Sequence, residues 1–256
     1  MFVYLHGLPG SSAELRLFGD VNSEAIFSLD RIRLNRDCHR FDAMVQTIIA
    51  RCPSSAIRLV AFSLGALPAL EIASRMGTRV SGIDLIAPAA PITPQDRDMA
   101  GYPVFTIARR SPVLFRLLTI AQTALARLAP SLLYAGLFKT AQGADLALSR
   151  DPIFRKRLTD MLRRCFADGG RAYRDEISAY VAPWPELYSK ITQPVTLWHG
   201  TLDNWAPIAM SERLKMQLPN VVALNRLEGL SHYSTLQVAL RTIVADDALG
   251  GADNHA

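Results

Sequence analysis

The chain has 256 residues, 28 Lys and Arg against 23 Asp and Glu for a formal charge of +5, and a hydrophobic half; that length suits one α/β domain with an insertion. Its least interrupted apolar stretch, residues 111 to 138, carries Arg116 and Arg127 and is broken by Pro130, which argues against a transmembrane span and against stable membrane insertion. Three cysteines, Cys38, Cys52 and Cys165, lack a C-x-x-C spacing, which argues against a disulfide framework and a zinc site and suits reduced structural thiols.

Phe2 to Leu5 reads as a short strand ended by the loop HGLPGSS. The start MFVYLHGLPG places no basic region before a helical apolar segment, so it does not read as a secretory signal, and a cytoplasmic protein is expected. EAIFSLD from Glu24 is strand-like. RFDAMVQTIIARC spaces Phe41, Met44, Val45, Ile48 and Ile49 at helical intervals, and Pro53 stops it. AIRLVAFS is an apolar strand, LGALPALEIASRMG a helix closed by Gly77, and VSGIDLIAPAAP the next strand. Strands apolar on both faces, alternating with helices, predict a mostly parallel sheet with crossover helices.

From residue 92 to residue 190 the periodicity is helical and no strand is convincing, so this block reads as an insertion. Asp151 is placed to cap a helix that has Pro152 at its first position and Gly169 beyond its end. The block holds 15 Lys and Arg against 9 Asp and Glu, so the basic character of the chain belongs here. Without base-stacking aromatics or a binding motif it reads as a solvated helical face, and no nucleic-acid partner is expected. The alternation resumes with PVTLWHG, APIAMSERLKMQL, VVALNRLEG and YSTLQVALRTIVADDAL. The expected organisation is a core of residues 1–91 and 191–249, a helical insertion over 92–190 and a disordered tail at 250–256.

In parallel sheets ligands bind at the carboxyl ends of the strands, so the loops after each strand are where chemistry is sought. In LVAFSLGA, Ser63 stands where a strand turns directly into a helix. Such a turn can present a nucleophile, and a serine there can equally be a helix N-cap. A serine nucleophile needs a base whose second nitrogen is held by a carboxylate. Of five histidines, His255 is in the tail, His39 opens a helix, and His6 and His199 precede glycines at strand ends, where a turn role is expected; His232, after the last strand, remains. Asp203 follows a strand end through a short polar turn. Asp84 competes for the acid but is followed by three more strand-like residues, which points it out of the sheet rather than to its rim.

HGLPGS, AFSLG, DNWAP and SHY, in that order, resemble the α/β-hydrolase superfamily, with serine, aspartate and histidine along the chain. The resemblance runs from Phe2 to the last helix and implies a sheet of about six strands flanked by helices, with the insertion as a cap or lid. It departs at Ala61, where a glycine is usual, and in having no counterpart before Phe2 to the two strands that normally precede the HG strand. It implies a catalytic Ser63, Asp203 and His232, an oxyanion hole formed by the backbone N–H groups of Leu8 and Leu64, and no metal or organic cofactor. Trp205, beside the acid, is expected as a pocket wall. The activity expected is hydrolysis of a carboxylic ester with a lipophilic acyl or alcohol part, the apolar residues 111–138 supplying pocket lining and packing onto the sheet. The alternatives are a thioesterase acting on acyl-CoA or on an acidic carrier protein steered by a basic helix from Pro152 to Arg174, a non-catalytic ligand receptor, and a lyase or carbon–carbon hydrolase.

Overall fold

Six short apolar runs become parallel strands in the computed structural model: β1 (Phe2–Leu5), β2 (Ile26–Ser28), β3 (Ile57–Phe62), β4 (Val80–Ile86), β5 (Val195–Gly200) and β6 (Val221–Leu227). They form one sheet in the order β2-β1-β3-β4-β5-β6, every pair parallel. The structure describes residues 1–19, 26–34, 39–184 and 186–250, with backbone alone for 246–250. Cys38, the first residues of EAIFSLD and the tail beyond Gly250 lie outside the described residues.

Burial explains why these runs are strands. All of β1 and all of β3 except Arg58 are buried, because crossover helices cover both faces and leave no solvent side to demand alternation. The edge strand β6 is only partly covered. Asp84 is fully buried in mid-strand, where its carboxylate accepts from Arg58 Nε on β3 at 2.6 Å and Trp198 Nε1 on β5 at 3.2 Å. It fastens three strands together and does not reach the carboxyl rim.

The helices are α1 (Arg40–Arg51), α2 (Ala66–Met76), α3 (Tyr102–Arg110), α4 (Pro112–Leu128), α5 (Pro130–Leu137), α6 (Asp145–Leu148), α7 (Pro152–Cys165), α8 (Arg171–Tyr180), α9 (Ala209–Gln217) and α10 (His232–Gly250). Between β4 and β5 the described residues form helices and turns only. Asp151 caps α7, its Oδ1 accepting from the N–H groups of Ile153 at 2.7 Å and Phe154 at 3.0 Å. The expected continuous basic helix from Pro152 to Arg174 is two helices. Gly169 and Gly170, at φ +77° and +72°, turn the backbone left-handed, and a right-handed helix cannot run through them. A Cβ on Gly170 would also strike Thr119 and lie 3.1 Å from Thr123 Oγ1, both on α4.

The apolar stretch 111–138 meets the expectation in part: Leu133 and Leu137 line the cavity beside Ser63, whereas much of α4 does not turn inward. Helix α4 turns Phe115, Thr119, Thr123 and Ala126 inward, while Val113, Leu114, Leu117, Ile120, Leu125 and Leu128 face outward and do not pack on the sheet. Periodicity shows that a helix has faces, and only its neighbours decide which face is covered.

Candidate active site

The carboxyl ends of β1, β3, β5 and β6 bring four loops together. After β3, Ser63 opens a 3₁₀ turn, Ser63–Gly65, that runs straight into α2, two residues later than the helix start read from the sequence. Its backbone is left-handed at φ +55°, a conformation costly for a residue with a side chain and held here by the turn around it. Phe62, not Ser63, takes the N-cap position, and no side chain caps the turn. Gly65 is obligatory because a Cβ there would strike the Leu5 carbonyl and lie 2.9 Å from that of His6. The crowding comes from the end of β1 rather than from Ala61, whose methyl is fully buried.

After β5, the loop holding Asp203 is fixed from beneath. A carbonyl only accepts, so His199 Nε2 carries the proton given to Ala206 O at 2.7 Å, and Nδ1 then accepts from the Ser211 hydroxyl at 2.6 Å. His199 is therefore a buried prop under this loop, not a turn residue. Asp203 Oδ1 accepts from the N–H groups of Trp205 at 2.8 Å and Ala206 at 3.0 Å, which leaves Oδ2 facing His232.

His232 begins α10. Its Nδ1 lies 2.7 Å from Asp203 Oδ2 with both side chains buried, so Nδ1 carries the donated proton and Nε2 keeps its lone pair. Burial alone would raise the Asp203 carboxyl; His232, which is hydrogen-bonded to Oδ2, and His199, whose Nε2 lies 3.5 Å from it, outweigh burial and hold the group well below the usual carboxylate range. Trp205 stacks on the imidazole at 5.4 Å and Phe62 packs on it at 4.5 Å, fixing the ring plane.

The start of α10 is held by Asp145 of α6, whose oxygens accept from the N–H groups of Tyr233 at 2.9 Å and Ser234 at 2.7 Å. The helical insertion thereby fixes the residue next to His232. Burial pushes the Asp145 carboxyl up.

The loop after β1 packs on Ser63. A Cβ on Gly7 would lie 2.9 Å from Phe62 Cδ1 and 3.1 Å from Ser63 Cβ. Glu14 Oε2 accepts from the Gly7 N–H at 2.8 Å and the Tyr4 hydroxyl at 2.7 Å, pinning this loop to β1. Burial pushes the Glu14 carboxyl up to about 7. His6, buried behind the loop, donates from Nδ1 to Gly7 O at 2.7 Å, and the buried Arg31 donates to His6 O at 2.5 Å and pairs with Glu176 of α8 at 3.1 Å.

Leu8, Leu64, Ser63 and Trp205 line one cavity of about 230 Å³, closed by Val104, Phe105, Leu133 and Leu137 of the insertion. Leu64 lies in the first turn of its helix, where an N–H has no carbonyl one turn earlier to bond. No group of three or more His, Cys, Asp or Glu suited to a metal ion occurs among the described residues. Neither Glu14 nor Asp145 carries a signal in the sequence, and His199 reads there as a turn residue. A carboxylate in a serine-rich turn or a four-residue helix carries no periodic signal of burial, although the glycine that follows His199 could have marked a close approach.

The model of the alpha/beta hydrolase family matches residues 2–244. Among solved structures, a thermophilic esterase from Thermogutta terrifontis is 14% identical with a TM-score of 0.67, and the alignment covers 100% of this chain and 90% of that one. The enol-lactonase from Burkholderia xenovorans LB400 is 16% identical with a TM-score of 0.66, covering 96% and 89%. MenH from S. aureus is 16% identical with a TM-score of 0.64, covering 96% and 91%. No curated protein matches the sequence.

Proposed function

The chain belongs to the alpha/beta hydrolase family and is a hydrolase, and from that premise we propose that it cleaves a carboxylic ester with a lipophilic acyl or alcohol part through an acyl-enzyme on Ser63. The observation that carries the proposal is the buried 2.7 Å contact between His232 Nδ1 and Asp203 Oδ2, in a site where Ser63 is held left-handed at the wall of an apolar cavity. With Nδ1 committed to Asp203, His232 Nε2 takes the Ser63 proton as Oγ attacks the ester carbonyl. The oxyanion that forms is met by the N–H groups of Leu8 and Leu64, fixed donors whose individual loss costs on the order of 3 kcal/mol in the barrier. His232 returns its proton to the leaving alkoxide as the carbon–oxygen bond breaks. A water that gives its proton to Nε2 then attacks the acyl carbon, and as the bond to Ser63 Oγ breaks His232 returns that proton to Oγ and the acid leaves. Asp203, ionised throughout, orients the ring and stabilises its charged form.

The apolar walls supplied by the insertion support a lipophilic substrate and a cap role for that insertion. The test is a fluorophosphonate probe together with p-nitrophenyl esters of graded chain length, applied to the native protein and Ser63→Ala. Labelling and hydrolysis that disappear in Ser63→Ala, with rates that rise with chain length until the cavity is full, are expected. A native protein that resists labelling as fully as the variant would rule the acyl-enzyme out.

A further inference from the structure

Helix α4 is amphipathic the wrong way round for a helix of a globular core. Val113, Leu117, Ile120, Ala124 and Leu128 follow one another at intervals of three and four residues, so they form one stripe along the helix. Val113 is 70% exposed, Leu117 57%, Ile120 52% and Leu128 86%, and the stripe continues onto α5 through Leu132 at 63%. The covered side of α4 holds two threonines and an alanine beside Phe115. Scattered exposed leucines need no explanation, but a continuous stripe of them does.

The charge around the stripe is of one sign. Arg116 and Arg127 sit on the row beside Ile120, and Arg109 and Arg110 end α3 just before α4 begins. None of these four forms an ion pair among the described residues. From Tyr102 to Leu137 the sequence contains no Asp or Glu. An apolar stripe whose own helix and the helix before it carry arginines as their only charges, with Arg127 also donating to Ala167 O at 3.4 Å, is complementary to a surface that is apolar within and anionic at its boundary.

We propose that the outer face of α4 and the start of α5 is a docking surface for an anionic phospholipid bilayer, on which the helix lies flat with its leucines in the acyl boundary and its arginines among the headgroups. Among the described residues no single helix is long and apolar enough to cross a membrane, and although α4 and α5 together meet the length and composition of a span, they are bent by 118° at Ala129. Adsorption therefore fits their shape where spanning does not. A second copy of the chain fits less well, because a two-fold contact would set these arginines against each other with no acid in the segment to receive them. The inner sides of α4 and α5 contribute Gln122, Leu133 and Leu137 to the cavity at Ser63, so the helices that would adsorb also form a wall of that cavity.

Flotation of the full chain with phosphatidylcholine vesicles, with and without about one third phosphatidylglycerol, tests this. The native protein is expected to float with the anionic vesicles, less so as salt is raised, and far less with the neutral ones. Arg116→Gln with Arg127→Gln is expected to lower partitioning roughly thirtyfold, at about 1 kcal/mol for each arginine near the surface. Leu117→Ser with Ile120→Ser is expected to lower it at least about tenfold without lowering the melting temperature, because both side chains are exposed. A native protein that stays unbound at every composition overturns the proposal, and so does a leucine–isoleucine variant that floats like the native chain. Sedimentation showing a dimer that this same variant converts to monomer, with no vesicle binding, overturns it in favour of a second copy.

Discussion

Glu14→Gln keeps an oxygen able to accept from the Gly7 N–H and the Tyr4 hydroxyl, 2.8 and 2.7 Å away in the native protein, while removing a titrating proton from behind the proposed oxyanion loop. The native carboxyl is raised from its ordinary 4.5 to about 7, by burial first, against the opposing hydrogen bonds of Tyr4 and Gly7 and the charges of Arg31 and His232. A carboxyl raised in this way binds its proton more tightly folded than unfolded. Its contribution to stability is therefore complete below about 4.5 and is lost as pH climbs to about 7. At 1.36 kcal/mol per tenfold change in proton affinity the whole loss is roughly 3 kcal/mol, of which about 2.5 falls between pH 5 and pH 8. Urea unfolding of the native protein and of Glu14→Gln across that range should show the native chain losing about 2.5 kcal/mol relative to the variant. Because the two proteins share every other titrating group, their difference isolates Glu14 from Asp145 and Asp203. A difference that stays flat to within about 0.5 kcal/mol would mean that this carboxyl is not held in a dry site, and the account of the loop given above would fail.

Asp203→Asn should lower kcat for the best ester about 10⁴-fold with the fold intact by circular dichroism, because an amide no longer selects the Nδ1 proton of His232. Ser63→Gly and Ser63→Ala should both be inactive. Thermal melting should find the glycine variant more stable than the alanine one by about 1 kcal/mol, since only the former is relieved of strain at φ +55°. Asp145→Ala strips two N–H partners from the start of the helix that carries His232. It should cost about 1 to 2 kcal/mol by denaturant titration and depress kcat more than it changes KM.

The parallel sheet was legible because a strand covered on both faces is apolar over most of its length rather than alternating: β1 is apolar throughout, and β3 and β4 are interrupted only by Arg58 and by Ser81 and Asp84. The loops worth searching were legible for the same reason: once strands alternate with helices, chain order alone decides which turns meet at the carboxyl edge. The loops of Ser63, Asp203 and His232 could thus be named before their atoms were placed, and the 2.7 Å between His232 and Asp203 is a distance no spacing contains. The break at Gly169 and Gly170 was half visible, since one glycine reads as a helix end but two left-handed residues followed by a fresh helix do not.

Glu14, His199 and Asp145 were invisible as participants because each meets its partners only once the loops around it are folded. Glu14 meets Gly7 across a loop, and Asp145 meets Ser234 from 89 residues away. The outward stripe of α4 was misread for a related reason: the sequence showed a strongly apolar helix, and the covering surface it implied does not lie on the sheet side. What the sequence by itself determined was the set of elements, their order and the chemistry available at each loop, since these follow from local periodicity and residue type. What only the tertiary structure decided was which faces are covered, which carboxylates are dry and which atoms meet, because burial and proximity depend on neighbours brought together by the whole fold.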